Sequence, residues 1–272
     1  MRTCILHVSD LHVGARKTRD DAAAHAALGA LVERVGPELV VASGDLTHLG
    51  RPGQHEEAAR FLRDLGVPLL VVPGNHDIPF TFPGRFTHTW RDFERHWDTT
   101  EPVFSSESLH AIGLNSVRPW RHQSGGIRGA QLARAAERLA AAKPDALRVA
   151  ALHHQLVGAP WRTRKRPVAR RTHVLAHLVD CGAELILGGH IHQAAVCERH
   201  EFEVVADGAR GVVVSIAPGF GRPRPNRRGE ARGVAVYRAD ASRIEVETHI
   251  WRNDAFERTA VRVFPRSGPT PD

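Results

Sequence analysis

Residues 69–77 read LLVVPGNHD, an apolar run that stops at Pro73 and Gly74 and is followed at once by Asn75, His76 and Asp77. A short apolar run closed by Pro and Gly is the pattern of a buried strand. The polar triplet therefore lies just past a strand's carboxyl end. The same form recurs on both sides: CILHVSDLH at 4–12, LVVASGD at 39–45, VAALHH at 149–154 and LILGGHIH at 185–192. A further apolar run at 110–115 carries no such cluster. Between the runs, the stretches 20–35, 54–65, 130–142 and 172–179 place apolar residues three and four apart, which predicts helices. Strands alternating with helices predict a largely parallel α/β sheet.

After Gly189 the pattern changes to runs at 202–206, 212–216, 233–237 and 244–250, separated by Gly, Pro, Asp and Arg clusters. These predict antiparallel strands in a second sheet packed on the first. No linker or internal repeat interrupts the chain, so a single domain over 1–264 is expected, with a Pro-rich tail at 265–272 that frays. A length of 272 residues is compatible with one large α/β domain.

The composition, 42% hydrophobic and 25% charged, is that of a globular chain and excludes a mainly disordered or collagen-like one. No apolar run approaches the roughly 18 residues needed to cross a bilayer, and the amino terminus lacks the apolar core of a secretory signal. A cytoplasmic protein is expected. The three cysteines, Cys4, Cys181 and Cys197, form no CxxC pair and suggest neither a disulfide framework nor a thiolate zinc site. The net charge of +7 favours anionic partners without naming one, because 34 of the 37 basic residues are Arg and the skew has the form of a compositional bias. Nucleic acid is a possible partner but not the favoured one.

In an open α/β sheet the strands' carboxyl ends converge on one crevice, where ligands bind. Five segments thus bring carboxylates, imidazoles and one amide to one place, with no thiolate among them. That donor set suits Mn, Fe, Zn or Ni better than Ca. Seven such ligands are too many for one tetrahedral ion and suit two ions sharing a carboxylate, the arrangement that clamps a phosphoryl group and activates water. Two-metal hydrolysis of a phosphoester is the chemistry implied.

The succession DLH, GDL, GNHD, HH and GHIH, running from Asp10 to His192, resembles the calcineurin-like metallophosphoesterase superfamily, and within it the bacterial class III cyclic-nucleotide phosphodiesterases. The resemblance implies a four-layer αββα sandwich of two mixed sheets, with a dinuclear site at the strand ends. It implies that Asp10, His12 and His192 hold one ion, that Asn75, His153 and His190 hold the other, and that Asp45 bridges them. A hydroxide between the ions would attack phosphorus. His76 would protonate the leaving oxygen or stabilise its charge, and Asp77 would orient that imidazole. Gly44 and Gly74 would let backbone approach the ions. Adjacent strand residues point to opposite faces, so only one of His153 and His154 is expected to be a ligand. The family pattern favours His153, although Gln155 follows the pair where relatives commonly have Pro.

The substrate expected is a small anionic phosphoester, with a diester favoured. A phosphomonoesterase, a nuclease and a lipid-directed phosphohydrolase share these motifs, and an inactive scaffold without metal is the non-enzymatic alternative. Two basic clusters, Arg162, Arg164, Lys165, Arg166, Arg170 and Arg171, and Arg222, Arg224, Arg227, Arg228 and Arg232, read either as a grip on a second anionic group or as solvated loop faces. Apolar spacing at Phe82, Phe86, Trp90, Phe93 and Trp97 predicts a capping helix over 80–97, or alternatively a lid. Trp120 and Trp161 lie in loops and could stack on substrate.

Overall fold

The computed structural model describes residues 2–15, 19–161, 163–202, 211–221 and 228–266. The first half of the chain alternates as its periodicity predicts: β1 (Thr3–Val8), α1 (Arg19–Val35), β2 (Leu39–Ala42), α2 (Pro52–Arg63) and β3 (Leu69–Val71). Two short helices, α3 (Gly84–Thr87) and α4 (Arg91–Trp97), precede β4 (Val103–Ser105), β5 (Leu109–Leu114), α5 (Gly129–Ala140), β6 (Leu147–Leu152), α6 (Arg171–Asp180) and β7 (Leu185–Gly188). The remainder is β8 (Ala195–Glu198), β9 (Val213–Ile216), β10 (Gly233–Ala239), β11 (Arg243–Arg252) and β12 (Ala255–Pro265).

The strands form two six-stranded mixed sheets, ordered β12-β11-β10-β1-β2-β3 and β4-β5-β6-β7-β9-β8. Side-chain alternation along each strand divides the apolar residues into three cores. Ile5, Leu70, Val149, Leu187 and Tyr237 fill the space between the sheets. Leu6 and Val8 pack outward with Leu28 of α1 and Leu62 of α2. Leu114 and Leu152 pack outward with Leu139 of α5 and Leu178 of α6. Helices therefore cover both outer faces, and the fold is the expected four-layer αββα sandwich. Each fully buried Leu or Ile contributes about 1.5–3 kcal/mol of transfer free energy.

One polar chain crosses the inter-sheet core. His7 bonds the Ser43 hydroxyl (2.8 Å) and the Tyr237 hydroxyl (3.0 Å), and Tyr237 donates to Ser215 of the other sheet at 2.8 Å. All four groups are buried and satisfied, so the chain fixes the registry of the sheets without an orphaned polar atom.

Several expectations need correction. The late strands do not make a sheet of their own: β10 to β12 extend the first sheet antiparallel from β1, while β9 joins the second sheet, parallel to β7. An apolar run encodes burial but not strand direction, which connectivity sets. Of the run at 202–206, Phe202 follows a short 3-10 turn (Arg199–Glu201), and the rest lies outside the described residues. The helix expected over 80–97 starts only at Gly84, after Pro79 and Pro83, and is two pieces that part at residues 88–90. Its phenylalanines divide accordingly: Phe93 is buried against the helical layer, whereas Phe82 is 80% exposed. Strand β12 passes the expected boundary at 264, and Arg266 beyond it donates to Glu184 at 2.7 Å. Residues 267–272 lie outside the described residues.

Candidate metal centre

Asp10 and His12 follow β1, Asp45 follows β2, Asn75 and His76 follow β3, His153 and His154 follow β6, and His190 and His192 follow β7. Five of these residues, Asp10, His12, Asp45, His190 and His192, are among the nine non-glycine residues with positive φ in the described chain. Left-handed backbone costs a side-chain-bearing residue roughly 1–2 kcal/mol, so its concentration here needs a restraint. Inter-loop hydrogen bonds supply it: Asp10 N to Gly44 O, His12 N to Asp45 O and Gly189 N to His153 O, each 2.9 Å. The Asp10 carboxylate accepts from the His190 amide at 2.9 Å and from the Ser9 hydroxyl at 2.8 Å through the same oxygen.

Gly44 and Gly74 serve a contact other than the expected one. A Cβ on Gly44 would fall 2.5 Å from the Gly74 amide, and one on Gly74 would fall 2.1 Å from the Asp45 amide. The glycines let two loops touch backbone to backbone, which places Asp45 beside Asn75 and His76.

The donors fall into two groups around Asp45. In one, His192 Nε2 lies 3.0 Å and His12 Nε2 3.9 Å from Asp10 Oδ1, and the two imidazole nitrogens are 3.1 Å apart. In the other, His153 Nε2 lies 3.3 Å from Asp45 Oδ1, 3.2 Å from Asn75 Oδ1 and 3.1 Å from His190 Nδ1. Asp45 joins the groups: its Oδ1 faces His153, and its Oδ2 is 3.8 Å from His12 Nε2.

The two carboxylate oxygens Asp10 Oδ1 and Asp45 Oδ2 are buried without any hydrogen-bond partner. An orphaned buried carboxylate oxygen is costly unless a cation satisfies it. Donors about 2.1 Å from a common ion stand roughly 3–3.5 Å from one another, close to the spacings found. The residues fit a pair of divalent ions.

Outer contacts fix which ring nitrogen faces each group. His153 Nδ1 donates to Ser43 O at 2.8 Å and His190 Nε2 to Gln123 O at 3.1 Å, leaving the opposite nitrogens as acceptors toward the cluster. His154 turns the other way, with its Nδ1 2.8 Å from the Ser116 hydroxyl. Of the adjacent pair, His153 is the residue brought to the centre.

Electrostatics prepare the same donors. Burial alone would raise the Asp10 and Asp45 carboxyls, but neighbouring cationic groups override it, the His192 imidazole and the Lys165 ammonium at Asp10 and the His153 and His76 imidazoles at Asp45, and hold both well below the carboxylate range. Burial pushes His12 down to about 3 and His190 well below its ordinary value, so both stay neutral. His153 is raised, because the Asp45 charge outweighs its burial.

His76 is held differently from expectation. Its amide donates to Asp45 Oδ1 at 2.8 Å, and its Nδ1 donates to the carbonyl of His48 at 2.7 Å. The Asp77 carboxylate instead accepts the amides of Leu46, Thr47 and Gly74 and the Thr47 hydroxyl, at 2.8–3.1 Å. Four donors saturate it, so Asp77 clamps the loops after β2 and β3 while His48 orients the imidazole. His48 was not anticipated; its signal is a third imidazole only three residues beyond Asp45, and its ring nitrogen gathers with those of His12 and His76.

A cavity of about 500 Å³ opens on the first group, lined by His12, His76 and His192 with Arg164, Lys165 and Arg232. The basic clusters thus divide. Lys165 Nζ reaches within 4.0 Å of Asp10 Oδ1, whereas Arg166, Arg170 and Arg171 are exposed. Arg232 pairs with Asp21, and Arg228 lies 4.2 Å from the ring centre of Trp161. Arg162, Arg222, Arg224 and Arg227 lie outside the described residues. Phe80, Phe82, Phe86, Trp90 and Trp120 are not part of this cavity's lining.

A model of the calcineurin-like phosphoesterase family matches residues 4–194, the span that holds every donor. The chain belongs to this family. Among curated proteins, this phosphoesterase is 31% identical over 209 residues to a probable cyclic nucleotide phosphodiesterase of Synechococcus sp., covering 72% of this chain and 76% of that one. It is 35% identical over 82 residues to a glycerophosphodiester phosphodiesterase of Enterobacter lignolyticus, covering 27% and 29%. Among solved structures, a dimetal phosphatase from Danio rerio superposes with a TM-score of 0.68 at 15% identity, covering 97% of this chain and 99% of that one, which shows a shared fold. Two groups of donors around a common carboxylate give this phosphoesterase a dinuclear divalent-metal site. No helix among its described residues is long and apolar enough to cross a membrane.

Proposed function

We propose that this phosphoesterase is a phosphodiesterase for small diesters, cyclic nucleotides first among them, with Asp10, His12 and His192 holding one ion, Asn75, His153 and His190 the other, and Asp45 both. The observation that carries the reading is Asp45, whose two oxygens face opposite groups at 3.3 Å and 3.8 Å. The names of the curated relatives support the diester. Donors of this type accept Mn, Fe, Zn or Ni, and availability decides among them. Three free thiols, at Cys4, Cys181 and Cys197, support a reducing compartment, the cytoplasm.

When bound, the ions neutralise charge on the phosphoryl oxygens and activate water near neutral pH. The remaining work is the chain's own. The His48 carbonyl holds the proton on His76 Nδ1, so Nε2 is the remaining nitrogen, and it would pass a proton to the departing oxygen from the imidazolium form, in which both nitrogens carry one. Asp77 holds the loop that carries Asn75 and His76, so that donor and acid share one rigid support. Buried His12 and His190 resist protonation and keep their lone pairs for metal.

The test is hydrolysis of bis(p-nitrophenyl) phosphate beside p-nitrophenyl phosphate by chelator-stripped protein reloaded with Mn, with Asn75→Ala as control. Diester cleavage that requires Mn and is lost in the variant is expected. A preference for the monoester would assign the site to a phosphatase instead.

A further inference from the structure

We infer that Lys165 is the phosphoryl-binding cation of this site, a contact to substrate made by the chain in addition to the ions; the inference rests on the phosphoesterase reading above. Within its basic run Lys165 stands apart. Its side chain is only 8% exposed and its ammonium lies 4.0 Å from Asp10 Oδ1, while Arg166 beside it is exposed. Lys165 lines the same cavity as His12, His76 and His192.

The segment that carries it is anchored to the metal centre. Lys165 N donates to Thr163 Oγ1 and Arg166 N donates to Gln123 O, both at 3.2 Å. The same Gln123 carbonyl accepts from the ligand imidazole His190 at 3.1 Å. One backbone oxygen thus sets the position of a donor to the second group and of the strap that holds Lys165 over the first.

Asp10 Oδ1, buried without a hydrogen-bond partner, is an oxygen that would hold an ion of the first group. A substrate seated in this cavity would bring an anion within reach of the ammonium. In a phosphoester that anion is a non-bridging phosphoryl oxygen, to which Lys offers a compact charge with three N–H donors. The anchored backbone keeps the ammonium at the cavity wall beside Asp10, where it would meet a phosphoryl oxygen held at the first group. This contact is independent of the leaving alcohol and serves monoester and diester alike.

The experiment uses Mn-loaded protein with inorganic phosphate as the probe, measured by calorimetry and as competitive inhibition, on wild type, Lys165→Ala, Lys165→Arg and Arg166→Ala. Lys165→Ala is expected to keep its Mn content and to lose about tenfold or more in phosphate affinity, with KM for the aryl diester rising more than kcat falls. Lys165→Arg retains part of the affinity, and Arg166→Ala matches wild type. Unchanged phosphate affinity in Lys165→Ala would overturn the inference, as would loss of Mn with it, which would make Lys165 a support of the Asp10 group. If phosphate binding depends on Lys165 while no diester is cleaved, the inference stands and the diesterase reading falls.

Discussion

The two donor groups around Asp45 differ in opposite senses. The first reaches the cavity through His12 and His192, with Asp10 buried behind them, whereas Asp45, His153 and His190 of the second are all fully buried and absent from its lining. Charge runs the other way. The first group has a carboxylate of its own in addition to its share of Asp45, while the second adds only the neutral amide of Asn75. Affinity for a dication rises with the number of anionic ligands, and access follows exposure. The accessible group is therefore expected to bind its ion more tightly and to present it to substrate, and the deep group to depend on the shared carboxylate.

Removing the shared residue breaks the comparison most severely. Asp45→Ala deprives both groups of charge and is expected to lower kcat/KM by more than about 10³-fold, with fewer than two Mn retained per chain by elemental analysis. Asn75→Ala touches the deep group alone; one Mn remains, and activity falls by roughly 10²–10³-fold. Equal loss of both ions in that variant would show that the groups do not bind separately.

His76→Ala sharpens the distinction between holding metal and moving a proton. Both ions stay, and cleavage of a diester with an alkyl leaving group slows by about 10²-fold, the low end for a general acid. A p-nitrophenyl leaving group, which departs without a proton, is affected less. A uniform loss across leaving groups would remove the acid role.

An effect on stability and not on turnover lies in the inter-sheet core, away from both groups. Burial pushes His7 down to about 3, below its value in the unfolded chain, so the unfolded state binds more protons between roughly pH 6.5 and 3. Stability falls as pH drops through that window, by up to about 1.4 kcal/mol per pH unit for this one imidazole. Urea midpoints measured from pH 7 to pH 4 are expected to fall in Mn-loaded and metal-free protein alike. A midpoint independent of pH in both forms would contradict a neutral buried His7.

Much of this centre was legible because its side chains sit beside apolar runs, and a run that ends in Asp, Asn or His announces both a strand and a donor. Asp10, His12, Asp45, Asn75, His153, His190 and His192 all fall together as the strand ends predict. Backbone partners were not legible: the Ser43, His48 and Gln123 carbonyls that orient His153, His76 and His190 carry no residue-type signal. Asp77 was recognised as close to His76 in sequence, but proximity gives no direction, and its carboxylate turns toward the amides instead. Strands β4 and β8 escaped notice because they are three and four residues long and no residue in either is fully buried. The placement of β9 beside β7, and of β10 to β12 beside β1, follows from crossovers that apolar patterning does not record.

The central claim is that the two groups act as one site through Asp45. It is tested most directly by titrating Mn into chelator-stripped protein while following bis(p-nitrophenyl) phosphate hydrolysis and bound metal together. The account predicts that the first equivalent binds with little turnover and that activity rises with the second. Full activity at one equivalent per chain would contradict it.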